Sequence, residues 1–282
     1  MKRKILFLAA TLFVAILCML LCSCQKGSDG LEFVELEDGT YGVKCGEATD
    51  TEIVIPKKHN GEKVTTILTS AFLNKKDITS IEIPKTVIKM EKGAFYGCDK
   101  LESVYYGGRV GDWNKIEFAH STATPMSEAK NFFAKKKEIT ELKIEDAEKI
   151  NAYAFFGFGG VTKVELGSTV TEIGENAFAG CKSLSELVLP SSLEKIGKQA
   201  FANCDKLKDV TIPASTLQID TLAFYNTELK TLTFENAEKW YFTKKEEEKS
   251  GTNLDLSDVE KNAKMISKAE TGFWKRKIPY VQ

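Results

Sequence analysis

The chain has 282 residues, 43% hydrophobic and 28% charged, with 6 Pro and 20 Gly. That balance suits a packed core or a repeat array, and it excludes collagen-like and disordered chains. The formal net charge is -1; the segment 1–23 carries three basic side chains and no acidic one, which leaves 36 basic against 40 acidic beyond it, or -4, with no electrostatic footprint for nucleic acid.

At the N-terminus, Lys2, Arg3 and Lys4 precede an uncharged apolar run that extends from Ile5 to Cys22. Leu21-Cys22-Ser23-Cys24 closes that run, and the polar stretch Gln25 to Gly30 follows. Charge followed by an apolar run is the layout of a secretory signal. The sequence Leu-x-Ser-Cys resembles a bacterial lipobox, in which the Cys becomes the first residue and is acylated through its sulfur. The expectation is a signal peptide over 1–23, lipidation at Cys24 and a tether over 24–30. The alternative is an uncleaved anchor, since the run just reaches spanning length.

Seven cysteines in an exported chain suggest disulfides. Cys18 and Cys22 leave with the signal, however, and Cys24 carries lipid. Cys98, Cys181 and Cys204 occupy one repeat position, which predicts buried thiols there and at Cys45 rather than bonded pairs.

The repeat organises the rest of the chain. Ala-Phe pairs begin at Ala71, Ala94, Ala154, Ala177, Ala200 and Ala223, at intervals of 23, 60, 23, 23 and 23. Apolar positions repeat with them, through Ile78, Ile81 and Ile83, Leu101, Val104 and Tyr106, Ile139, Leu142 and Ile144, and Val161, Val164 and Leu166. The same pattern continues through Leu184, Leu187 and Leu189, Leu207, Val210 and Ile212, and Leu229, Leu232 and Phe234. Segments such as Leu187-x-Leu189 alternate apolar and polar, the signature of a half-buried strand. One strand cannot bury its own apolar face, so each unit needs neighbours above and below. The expected architecture is a β-rich solenoid in which the strands stack into a parallel sheet. Irregular segments, with Phe inward and Ala allowing close backbone approach, return over the other side.

These units resemble BspA-like leucine-rich repeats of the Treponema pallidum type, with their Ile-Pro ending and Ile-Gly-x-x-Ala-Phe-x-x-Cys pattern. The resemblance extends over roughly 31–277 and implies an N-terminal cap at 31–65, a leucine-rich repeat solenoid at 66–234 and a C-terminal cap at 235–282. The long interval, 46 plus 14, implies an insertion at about 105–138. Departures are Leu68-Thr69-Ser70 before Ala71, Phe158-Gly159-Gly160 in place of the Cys-bearing turn, and Asn226 in a unit that ends without Cys.

No catalytic or metal residues are expected, and no cofactor. His59 and His120 are the only histidines, both outside the repeat core, and no Cys or His pair has zinc-ligand spacing outside the signal region. Gly157-Phe158-Gly159-Gly160 lacks the Lys of a phosphate loop.

Binding is the expected activity. Side chains flanking the inward positions point outward, so Glu82, Ser103, Tyr105, Lys143, Lys163, Glu165, Glu186 and Thr211 pave one face, which is either a ligand surface or a solvated sheet. In the insertion Tyr105, Tyr106, Trp113, Phe118, Phe132 and Phe133 crowd together. Trp113 either anchors a ligand or plugs the core where the repeat lapses. Trp240, Tyr241, Phe273 and Trp274 are expected to shield the open end. The resemblance implies adhesion, by a protein or glycan ligand on host or microbial surfaces, for a lipid-anchored protein of the cell envelope with its outer surface the favoured side. A periplasmic scaffold without external ligand is the alternative.

Overall fold

The computed structural model describes residues 26–268 and 271–277. The signal segment and Cys24 lie outside the described residues. Among the described residues no helix is long and apolar enough to cross a membrane.

The chain winds into a β-solenoid with two rows of short strands. In the first row Glu52–Val54, Ser80–Ile83, Ser103–Tyr106 and Asn131–Ala134 pair in parallel. Glu141–Ile144, Lys163–Leu166 and Glu186–Val188 form a second parallel group, and Asp209–Ile212 with Thr231–Phe234 a third. In Ser80–Ile83 and its relatives buried residues alternate with half-exposed or exposed ones, as a strand with one face on the core requires. The second row holds two-residue strands, among them Lys89–Met90, Glu117–Phe118, Lys149–Ile150, Glu172–Ile173, Lys195–Ile196 and Gln218–Ile219. The constant repeat length places equivalent residues in register, so Ile173 sits between Ile150 and Ile196.

The Ala-Phe corner joins one turn to the next. Phe155, Phe178 and Phe201 donate backbone N–H bonds to Ala177, Ala200 and Ala223, each one turn on, at 2.8–2.9 Å. The rings stack along the same line at centroid spacings of 5.3–5.4 Å from Phe155 to Phe224. Three positions beyond each Ala the backbone turns left-handed, at Asn74, Gly97, Gly157, Gly180, Asn203 and Asn226. Gly and Asn tolerate that conformation best. At Gly157 (φ +76°) a Cβ would also come within 2.5 Å of the Ser127 Cα, so the close approach itself demands glycine.

The repeated cysteines have a defined task. Cys98, Cys181 and Cys204 are buried, unbonded thiols whose Sγ atoms donate to the carbonyls of Phe72, Phe155 and Phe178 at 3.1–3.3 Å. Cys45 is likewise buried and free. Burial pushes the Cys98 and Cys204 thiols up to about 12 and raises Cys181 well above its ordinary value.

Residues 105–138 do not loop out of the solenoid; they make an irregular turn of it. Glu117–Phe118 joins the second row beside Lys89–Met90, and Asn131–Ala134 joins the first row beside Ser103–Tyr106. The chain then doubles back in a tight hairpin through Lys137–Glu138, and no second-row strand follows before Glu141–Ile144. Two side chains of the helix Val110–Asn114 meet the row that resumes at Lys149. Asn114 donates from Nδ2 to the Lys149 carbonyl (2.9 Å) and accepts at Oδ1 from the Asn151 N–H (3.1 Å). In the regular turns a strand backbone serves the latter role, since Gly174 N–H donates to the Ile150 carbonyl and Gly197 N–H to that of Ile173. Trp113 donates from Nε1 to the Ala154 carbonyl at 2.7 Å, the bond that a Phe N–H makes in regular turns.

Both ends are capped. Glu32–Glu35 and Tyr41–Lys44 form a hairpin laid on Glu62–Ile67, and Ser28 binds the backbone of Val54 through its N–H and its hydroxyl. At the other end Phe273–Arg276 runs antiparallel to Gln218–Ile219 and to Trp240–Thr243. Trp240 and Trp274 pack on Phe234 at 5.0 and 6.2 Å, and the helix Val259–Ile266, capped by Asp258, contacts Thr231–Phe234.

Three outcomes follow from this packing. Phe178→Ala is expected to cost about 3–5 kcal/mol, the range for emptying a buried aromatic site, read from the shift in chemical denaturation midpoint. Asn114→Ala leaves a partly buried carbonyl and N–H without their partner, and its expected cost is about 1–3 kcal/mol by the same measurement. Because all four cysteines are buried, and a thiol held protonated as at Cys98, Cys181 and Cys204 is a poor nucleophile, they should resist a disulfide-exchange reagent at pH 8 in the native protein and react together in denaturant. Rapid reaction of any one of them in native buffer would contradict the burial described here.

Candidate binding surface

The outward residues of the first row form the candidate surface. Position by position they are Ser80, Ser103 and Asn131 in one file, with Glu82, Tyr105 and Phe133 beside them. After the hairpin come Glu141, Lys163 and Glu186 beside Lys143, Glu165 and Val188, and finally Asp209 and Thr211 beside Thr231 and Thr233.

Each expected residue keeps its outward position except one. Glu82 and Ser103 lie level with Tyr105 and Asn131, whose Nδ2 reaches the Ser103 hydroxyl at 3.5 Å. Lys143 bridges Glu145 at 2.9 Å and Glu165 at 3.7 Å, and Lys163 bridges Glu186 at 2.5 Å. The hydrogen bond that Lys143 donates to Glu145, and then that carboxylate's charge, raise the Lys143 pKa, and the bond donated to Glu186 raises that of Lys163. Exposed pairs of this kind contribute little stability, but they hold the charges in a fixed pattern. Thr211 is exposed and level with Thr233, next to the Thr231–Asp209 hydrogen bond of 2.6 Å.

Trp113 is the correction. It is 0% exposed, with its indole N–H spent on Ala154 and its ring 5.0–5.5 Å from Tyr106, Phe118 and Phe132. It plugs the core where the regular turn is missing and cannot touch a ligand. Of the six aromatics in this stretch, Tyr106, Trp113, Phe118 and Phe132 are buried, and only Tyr105 and Phe133 face outward. Those two stack on each other at 4.7 Å with an interplanar angle of 18°. The sequence did not distinguish Asn131, and it showed Phe133 only as one of six crowded aromatics, because the chain takes a longer path than in a regular turn to bring them level with Ser103 and Tyr105. The polar-apolar alternation of Asn131-Phe132-Phe133-Ala134 fits only if Phe133 faces out, and that was the available signal.

The ladder of hydrogen bonds under this surface is interrupted twice. Lys137–Glu138 takes the free edge of Asn131–Ala134, and Glu186–Val188 adjoins Asp209–Ile212 without a bonded register. On the second row, Gly174 and Gly197 floor a groove of roughly 630 Å³, walled by Lys149, Glu172, Lys195 and Asp220. Those walls are already paired, Lys149 with Glu172 at 2.8 Å and Lys195 with Asp220 at 3.3 Å. Burial raises the Asp220 carboxyl above its usual range.

The histidines serve local structure. His59 stacks on Phe33 at 4.0 Å, and His120 caps a short 3₁₀ turn by accepting from Thr122 N–H. Among the described residues no group of three or more His, Cys, Asp or Glu is placed to hold a metal ion.

The model for the BspA type leucine rich repeat region matches six copies in this chain, over residues 49–125 and 128–244. Similar solved structures include a T. pallidum leucine-rich repeat protein, at 20% identity and TM-score 0.41 over 75% of this chain and 83% of that one. Another, from Eubacterium ventriosum, shows 22% identity and TM-score 0.43 over 70% of this chain and 50% of that one. A leucine rich cell surface protein from Faecalibacterium prausnitzii shows 15% identity and TM-score 0.35 over 76% of this chain and 96% of that one. No curated protein matches the chain.

Trp113→Phe keeps the ring but loses the bond to Ala154, so its expected effect is on stability, about 1–3 kcal/mol, with the strand face unaltered. Tyr105→Ala should leave the denaturation midpoint nearly unchanged, since its ring packs outside the core.

Proposed function

Because the chain belongs to the BspA-type leucine-rich repeat family, with matched segments over most of its length, we propose that it is a lipid-anchored binding module of the bacterial cell envelope. Its work is to present the first-row face to a ligand on a host or microbial surface. The observation that carries this reading is the stacked Tyr105–Phe133 pair, two aromatic rings standing outward on a face whose other outward residues from Ser80 onward are polar except for Val188. Aromatic groups surrounded by polar ones are the usual anchors of an interface. A rigid solenoid supplies the rest, since its side chains are held in register without any cost of ordering a loop on binding. The basic start, the apolar run and the Leu-x-Ser-Cys sequence that ends at Cys24 support the location, since acyl chains carried there would give stable anchoring when two or more act together.

Location and binding are tested separately. Added protease should digest the protein on intact cells, with lysed cells as control; protection until lysis would instead assign it to scaffolding within the envelope. Residues 25–282 should bind a matrix protein or a partner cell saturably, and the double change Tyr105→Ala and Phe133→Ala should weaken that binding at least tenfold. Binding indifferent to both changes would remove this face as the site.

A further inference from the structure

One edge of the solenoid is basic over four consecutive turns. It lies where the first-row strands end. Ile55, Ile83, Tyr106 and Ala134 are linked across by backbone bonds: Ile55 N–H donates to Glu82, Gly107 N–H to Ile83 and Lys135 N–H to Tyr106. The residues that follow therefore stack: Lys57 and Lys58, then Lys85, then Arg109, then Lys135, Lys136 and Lys137. The Thr86 hydroxyl reaches the Lys57 carbonyl at 3.4 Å, and a Cβ on Gly107 would lie 3.3 Å from the Lys85 nitrogen, so the turns are in direct contact. All seven cations are exposed. The carboxylates near them are Asp112, which pairs with Lys85 (3.3 Å) and Arg109 (3.9 Å), Glu62 across from His59, and Glu138 next to Lys137. The same edge on later turns carries Glu145-Asp146, Gly167-Ser168, Pro190-Ser191 and Pro213-Ala214, with no cation in those pairs, although Arg276 of the C-terminal cap reaches in to donate to the Ala214 carbonyl. In a chain of net charge -1 this is a strong local excess.

Two further observations indicate what covers it. The backbone of Gly27 is seated on the ring of Pro56, where a Cβ would come within 2.6 Å, immediately before Lys57. Cys24 lies three positions earlier, so it stands at most about 11 Å from Gly27 along the chain. Ile88, at the same corner three positions past Lys85, leaves 60% of its surface exposed. An exposed aliphatic side chain close in sequence to Lys85 and Lys89 suits the boundary of headgroup and acyl chain.

We infer that this edge, Lys57, Lys58, Lys85, Arg109, Lys135, Lys136 and Ile88, rests on the anionic headgroups of the membrane that holds the anchor. The inference rests on the anchoring proposed above. In that pose the strand ends point down, the solenoid lies along the bilayer, and the first-row face stands upright from the membrane, open to a ligand.

The probe is sedimentation of residues 25–282, which hold the whole described fold and lack the acylated Cys24, with vesicles of equal parts phosphatidylglycerol and phosphatidylcholine. Binding is expected at low salt, absent on phosphatidylcholine alone, and reduced as salt rises. Each cation removed should weaken it roughly fivefold, so the triple change Lys57→Gln, Lys85→Gln and Lys135→Gln should nearly abolish it. The matched triple change Lys206→Gln, Lys208→Gln and Lys230→Gln should not. Circular dichroism on each variant checks the fold. Equal loss in both triples, binding to neutral vesicles, or binding to soluble polyphosphate but not to vesicles would each overturn the inference. Incorporation of labelled palmitate at Cys24 in cells reads the anchor independently, so either idea can fail without the other.

Discussion

Every turn of this solenoid passes its backbone hydrogen bonds to the next, and no turn can satisfy them by itself. Strands as short as these cannot persist alone. They persist because Phe155, Phe178, Phe201 and Phe224 stack in file and because Ala at the same corner allows backbones to meet at hydrogen-bonding distance. The repeat length is thus a geometric demand. Equivalent atoms must come round to one line, and the constant interval from Ala154 through Ala177 and Ala200 to Ala223 brings them there.

Where the spacing fails, the demand remains, and side chains meet it. Asn114 offers the same donor and acceptor as a peptide group, so its carboxamide continues the second-row ladder. Trp113 brings one more N–H and enough ring to occupy the space of a missing unit. A carboxylate at position 114 could accept but not donate, and a lysine could donate but not accept. The choice of asparagine follows from needing both in one planar group.

The regular part of the fold was legible because its signal is redundant: alternation, spacing and the Ala-Phe corner agree six times over. The buried thiols were legible for the same reason, since three share a single repeat position. The irregular turn was not. Its expected form was an insertion, because the long step from Ser103 to Asn131 and the short one from Asn131 to Glu141 carry no internal repeat to read. Half of the aromatic pair was lost with it. Tyr105 follows from alternation, whereas Phe133 needs a register that only the folded turn supplies. Trp113 shows the reverse problem. An aromatic in a loop-rich stretch suits ligand and plug equally, and only its bond to Ala154 decides between them.

The one break in the spacing of the repeat lies in the N-terminal half of the molecule, with the features that face outward. Lys135 and Lys136 both adopt left-handed backbone, φ 48° and 68°, in a two-residue hairpin turn where Asn-Gly would fit without strain. Side chains with a Cβ cost about 1–2 kcal/mol each in that conformation. The C-terminal turns, from Ala154 to Phe224, keep their spacing and their thiol bonds and supply the rigidity. The earlier turns draw on that rigidity to hold an aromatic pair, an irregular hairpin and a row of cations that no isolated turn could keep in place.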